Sequence, residues 1–137
     1  MNKRRLLKLA DLLEADAKKK TGMKFDIHTW GFVKTPAKPV SCGTHACAMG
    51  LAALSGAFKR QGLTAKIDSG VVLFKWKSRV TDDGFVPAKA LFDLSFAQAD
   101  HLFGPFQELP NDGQGAEAAR AVAKKIRDLC DGKPFSE

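Results

Sequence analysis

The chain has 137 residues, 45% apolar and 27% charged, which excludes a disordered tail, a collagen-like rod and a cysteine-stapled mini-protein and leaves one globular domain over residues 1–137. Its 22 Lys and Arg against 15 Asp and Glu give +7, and the excess is uneven: residues 1–80 hold sixteen basic and five acidic side chains, residues 81–137 six and ten. Such asymmetry points to one basic face suited to an acidic protein or nucleic acid.

Residues 3–20 form an amphipathic helix in which Leu6, Leu9, Ala10, Leu13 and Ala17 recur at three- and four-residue steps. Lys8 and Asp11 interrupt the apolar run that follows the basic start, so no signal peptide is expected. Residues 25–33 read as extended, and Pro36 and Pro39 place a loop after them. Residues 44–60 are predicted as a second helix, apolar over most of its girth and therefore at the centre of the fold. The uncharged run around it is too polar at Ser41 to His45 for a membrane span, so no membrane partner is expected.

Residues 64–68 and 71–77 read as two strands turned at Ser69-Gly70. On the second, Val72, Phe74 and Trp76 share one face. Lys75, Lys77 and Arg79 recur at the strand period on the other, and Lys66 joins them from the partner strand. These four are the candidate binding residues of the basic face. Asp82-Asp83-Gly84 is a turn, and Pro87 opens a short helix through Phe92. Ser95-Phe96-Ala97-Gln98 is a capping box for a helix ending at Gly104-Pro105. Residues 115–131 form the last helix, with Ala119, Val122, Ala123, Ile126 and Leu129 inward. Phe85, Phe92, Phe96, Phe103 and Phe106 read as core, with a partner groove as the lesser reading. The fold class is thus α+β: four to five helices around a small antiparallel sheet or hairpin, with helix 44–60 buried at the centre.

The densest chemistry is Cys42-Gly43-Thr44-His45-Ala46-Cys47. A cysteine just before a helix meets unpaired amides and the positive dipole end, which favour the thiolate. On this reading Cys42 is the nucleophile of a hydrolase or transferase, and His45, His28 or His101 is its base, oriented by Asp26 or Asp100. The opposing reading is a tight loop-to-helix junction capped by Thr44. Cys42, His45 and Cys47 have the spacing C-x2-H-x-C, whereas structural zinc presents paired elements, so no metal is expected. No glycine-rich phosphate loop or serine elbow is present, and no cofactor is called for. Three cysteines, an odd number in a chain of this length, suit reduced thiols in the cytoplasm.

Phe25-Asp26-Ile27-His28-Thr29-Trp30, followed by Cys42-Gly43-Thr44-His45-Ala46-Cys47-Ala48-Met49-Gly50, resembles a group of uncharacterised small proteins of bacterial and phage genomes. In these an F-D-M-x-x-W-like segment precedes a C-G-T-x-A-C-x-x-G helix start. An L-S-x-x-Q-A-x-x-L-F-like helix follows, matched here by residues 94–103. The relatives often carry His or Trp after the motif glycine, where this chain has Leu51. The resemblance implies an intracellular accessory protein of a phage or mobile element, with an anti-defence role through protein contact as one version. It implies no established activity. The leading expectation is a non-enzymatic interaction protein working through the basic face; the alternative is the Cys42-dependent enzyme.

Overall fold

The computed structural model describes residues 1–19, 23–34 and 43–134. Helix α1 (Lys3–Lys19) buries Leu6, Leu9, Ala10 and Leu13 completely, the stripe its spacing predicts. The Asn2 Oδ1 accepts the Arg5 amide at 3.1 Å and so satisfies one donor of the first turn. α1 lies along the last helix, α5 (Gly115–Cys130), whose inward Ala119, Val122, Ala123, Ile126 and Leu129 are all buried. Arg127 of α5 ties the pair from outside by ion pairs to Asp11 and Glu14. Gly22, the glycine that follows the predicted helix over residues 3–20, lies outside the described residues, as do Pro36 and Pro39.

Between these helices the chain brings two distant segments together. β1 (Lys24–Phe25) and β2 (His45–Ala46) form a two-stranded parallel pair. Phe32 then exchanges backbone hydrogen bonds with His45 at 2.7 and 2.9 Å. This is where the expected helix over 44–60 is corrected. Helix α2 runs only Ala48–Ser55, because His45-Ala46 is extended in the sheet and Gly56 ends the helix at φ 74°. Phe58 follows in a turn and Lys59–Gln61 form a single 3-10 turn. The central position is as expected, since Ala48 to Ala53 are all buried. The extended reading of residues 25–33 likewise shrinks to β1 and to isolated bridges at Asp26 and Phe32.

β3 (Leu63–Asp68), β4 (Val71–Trp76) and β5 (Arg79–Thr81) form an antiparallel meander with β4 in the middle. Both turns have two residues at positive φ, Ser69 (51°) with Gly70 (84°) and Lys77 (48°) with Ser78 (75°). That is the geometry whose twist matches antiparallel strands. The second turn overturns the expectation that Lys75, Lys77 and Arg79 share a face. Lys77 lies in the turn, and Arg79 pairs with Trp76, which puts it on the opposite side from Lys75. A bridge between Phe32 and Val71 joins the meander to the parallel pair.

α3 (Phe85–Phe92) starts two residues before Pro87, where the Asp83 Oδ1 accepts the Phe85 amide at 2.9 Å. α4 (Phe96–Phe103) carries the predicted capping box with both of its hydrogen bonds and ends at Gly104. Of the phenylalanines expected in the core, Phe92 and Phe103 are buried and Phe85 is half-buried, but Phe96 is 60% and Phe106 96% exposed. Phe96 is the first residue of α4 and Phe106 sits in the loop beyond it, so neither faces the packed side. The core is knit by edge-on aromatic pairs, Phe58 with Phe92 at 5.5 Å and Trp30 with Phe74 at 5.7 Å and Phe85 at 5.2 Å. The whole is an α+β single domain. No described helix is long and apolar enough to cross a membrane.

The Trp30 carbonyl packs directly against α2 at Gly50. A Cβ on Gly50 would stand 1.8 Å from that oxygen. Gly50→Ala must therefore push the loop off the helix. It is expected to cost about 3 kcal/mol in urea unfolding, against about 1 kcal/mol for Gly56→Ala, where only the left-handed backbone is strained. Equal losses would show that the close approach carries no weight.

Candidate functional site

Cys42, the candidate nucleophile, lies outside the described residues. Its expected setting is nonetheless corrected, because α2 begins at Ala48 and a strand intervenes, so no helix N-terminus directly follows Cys42. Cys47 occupies that place instead. It is the N-cap of α2, 1% exposed, and its Sγ lies 3.9 Å from the Trp30 carbonyl. Burial pushes its thiol up to about 11, against weaker opposing pulls from the backbone amides of Gly50 and Met49. Such a thiol is protonated at neutral pH and is not a nucleophile. Cys130 is also buried and its pKa is raised by the same cause.

The three histidines are scattered. His45 is exposed on β2 while its neighbour but one, Cys47, is buried. His28 pairs with Asp26, Nδ1 to Oδ1 at 3.1 Å, which is the orientation proposed for a base. Asp26 also accepts the His28 amide at 3.0 Å. His101 lies on α4, its pKa lowered by partial burial and by Lys125. Thr44, expected as a helix cap, is fully buried and its Oγ1 has no partner among the described residues. Among the described residues no three His, Cys, Asp or Glu side chains gather as metal ligands. The motif segments instead meet backbone to backbone: Lys24 N to Thr44 O at 2.8 Å, Asp26 N to Ala46 O at 3.0 Å and Cys47 N to Thr29 O at 3.2 Å.

The sheet presents a different feature. Paired residues share a face, so the registers define one continuous outer surface. Its first row is Lys24, His45, Phe32, Val71 and Asp68. Leu73 with Lys66, then Val80 with Lys75 and Thr64, complete it. Phe32, Val71 and Val80 are 45%, 50% and 48% exposed and Leu73 is half-buried, so an apolar stripe runs between Lys24, Lys66 and Lys75. The Phe32 ring lies over the first hairpin turn, where a Cβ on Gly70 would come within 2.7 Å of it.

Of the four predicted basic residues, Lys66 and Lys75 stand on this surface and Lys77 and Arg79 do not. Lys77 donates its amide to the Gly62 carbonyl at 3.0 Å and places its ammonium over the Trp76 ring at 5.2 Å, beside the turn that carries Lys59 and Arg60. The mixture of Val71 and Leu73 with Lys75 was readable from strand alternation. Phe32, Lys24 and Val80 were not, because nothing local in the sequence aligns them with β4. The ion pairs among the described residues involve Asp11, Glu14, Asp26, Asp93 and Asp128, and none involves Lys24, Lys66 or Lys75. No family model, curated protein or solved structure matches the chain.

Between pH 9 and 11 the unfolded chain gives up the Cys47 proton while the folded one keeps it, so stability falls as pH rises through that window. The expected Cys47 contribution is about 3 kcal/mol in all, read as the difference in pH slope between wild type and Cys47→Ala. Cys47 is also expected to alkylate at pH 8 only as fast as the chain opens, and prompt alkylation of the native protein would contradict its burial.

Proposed function

We propose that this is a non-enzymatic interaction protein that binds an acidic protein through the outer face of its sheet. The observation that carries the reading is the pattern of that face: an exposed apolar stripe of Phe32, Val71, Leu73 and Val80 flanked by Lys24, Lys66 and Lys75, none of them ion-paired among the described residues. Protein interfaces combine an apolar centre with a polar, charged rim. A phosphate-binding surface needs the charge but has no use for exposed aliphatic side chains between the lysines. Single-strand binding would also want aromatics on the basic surface for stacking. Among the described residues Phe32 alone is there, and Trp76 faces the other way.

The cysteine-enzyme reading has less behind it. It drew its support from a helix starting directly after Cys42, and the strand His45–Ala46 stands between that position and the start of α2 at Ala48. The free, buried Cys47 and Cys130 suit a reducing compartment, and we place the protein in the cytoplasm. An accessory role in a phage or mobile element, acting through protein contact, belongs with this reading.

The test compares two probes of equal charge by titration, an acidic peptide rich in glutamate and leucine and a short DNA duplex. The peptide is expected to bind more tightly. Lys66→Glu with Lys75→Glu should weaken it at least about tenfold through lost charge complementarity, and Val71→Ser by several-fold through the lost apolar contact. Tighter binding of the duplex, with a steep salt dependence and no effect of Val71→Ser, would replace this reading with nucleic-acid binding.

A further inference from the structure

Lys66 and Lys75 account for only part of the basic excess of residues 1–80. A second concentration of charge lies where the end of α2 meets α1. The turn from Gly56 to Gln61 and Lys8 of α1 border an open recess of about 600 Å³, which is the scale of a small-ligand site. Lys8, Lys59 and Arg60 line it with Gly56, Ala57 and Gln61, and this lining holds no acidic side chain. None of the three cations enters an ion pair among the described residues. A concave surface lined by one sign of charge focuses the field and concentrates the opposite ion within it. The ligand called for is therefore an anion.

The recess is arranged by the chain itself. Lys8 donates Nζ to the Ala57 carbonyl at 2.7 Å and lies over the Phe58 ring at 5.2 Å. That bond uses one of the three ammonium donors and leaves two for a ligand. Lys59 and Arg60 sit in a 3-10 turn that Gly62 closes by donating its amide to the Lys59 carbonyl at 3.0 Å. Lys77 packs against the same turn, its Cγ 2.9 Å from where a Cβ on Gly62 would lie. Gln61 adds a group of the opposite kind. Its Oε1 is buried with no donor among the described residues, a costly state for an acceptor. An anion that also carries a hydrogen answers both the cations and this acceptor. Hydrogen phosphate keeps a P–OH at neutral pH, whereas sulfate, of the same shape and charge, has none.

We propose that this recess binds a phosphate group, with Lys8, Lys59 and Arg60 on its anionic oxygens and the Gln61 Oε1 accepting its P–OH. The recess shares no residue with the outer face of the sheet, so the site stands whether or not that face binds an acidic protein.

Inorganic phosphate and sulfate are titrated in turn into the full chain, and backbone amide shifts are followed by NMR. Chloride holds the ionic strength at about 150 mM, where exposed charges are screened beyond about 8 Å. Phosphate is expected to give saturable shifts centred on Lys59, Arg60 and Gln61 with a Kd of about 1 mM or tighter. Sulfate should bind at least about threefold more weakly for want of the one hydrogen bond. Lys59→Gln with Arg60→Gln should weaken phosphate at least about tenfold. Lys66→Gln with Lys75→Gln, the same change of charge on the sheet face, should leave it within about twofold. Gln61→Met should keep sulfate binding and lose the preference for phosphate. Phosphatidylcholine vesicles containing phosphatidic acid, which shows the same group at a surface, separate the sources. Co-sedimentation that the Lys59 and Arg60 pair of substitutions abolishes assigns the phosphate to a lipid headgroup, and no co-sedimentation assigns it to a soluble phosphomonoester. Shifts that never saturate, equal weakening by the two pairs, or equal affinity for phosphate and sulfate would each overturn the proposal.

Discussion

The Trp30 backbone presses so closely on α2 that only glycine is tolerated at position 50. Much of the fold follows from that contact. The same residue sends its ring against Phe74 of β4 and Phe85 of α3, and it lies on Gly84 at the entry to α3. One loop residue therefore touches the central helix, the meander and the short helices. Cys47 supports it by setting its thiol toward the Trp30 carbonyl at 3.9 Å, while its amide bonds Thr29. The hydrogen-bonded apposition of residues 24–33 with 44–47 fixes where Phe32 can reach β4. The outer face of the sheet exists because of this apposition.

The two notable sequence segments, F-D-I-H-T-W and C-G-T-H-A-C-A-M-G, are thus halves of one structural unit. Phe25 and Ala46 are buried side by side, Gly43 takes a left-handed backbone at φ 92°, and Gly50 receives Trp30. Within the first segment Asp26 accepts both the backbone amide and the ring nitrogen Nδ1 of His28, at 3.0 and 3.1 Å. The described backbone groups of the two segments hydrogen-bond them to each other, Lys24 to Thr44, Asp26 to Ala46 and Cys47 to Thr29.

Features written in local pattern were legible. The helical stripes of α1 and α5, the Ser69-Gly70 hairpin and the Ser95–Gln98 capping box all depend on neighbours within a few residues, and the structure has each of them. What was missed depends on distant partners. His45-Ala46 looks helical in isolation and becomes extended because Lys24-Phe25 and Phe32 pair with it. Lys77-Ser78 carries neither Gly nor Asn, so nothing announced the turn that hides β5 and sends Arg79 to the other face. Phe96 and Phe106 carry no mark in the sequence that separates them from the buried Phe92 and Phe103. Apolar composition reports what can be buried, not what is.

The pairing of the first helix with the last has a consequence for synthesis. α1 is made before α5, and its apolar stripe of Leu6, Leu9 and Leu13 is covered largely by α5, more than a hundred residues later. Hairpins such as that of β3 and β4 close in microseconds from contacts within their own span. The meander is built from contacts within its own span, whereas the apolar stripe of α1 has to wait for α5 to be made. The docking of α5 on that stripe is the long-range contact that closes the core around the first helix.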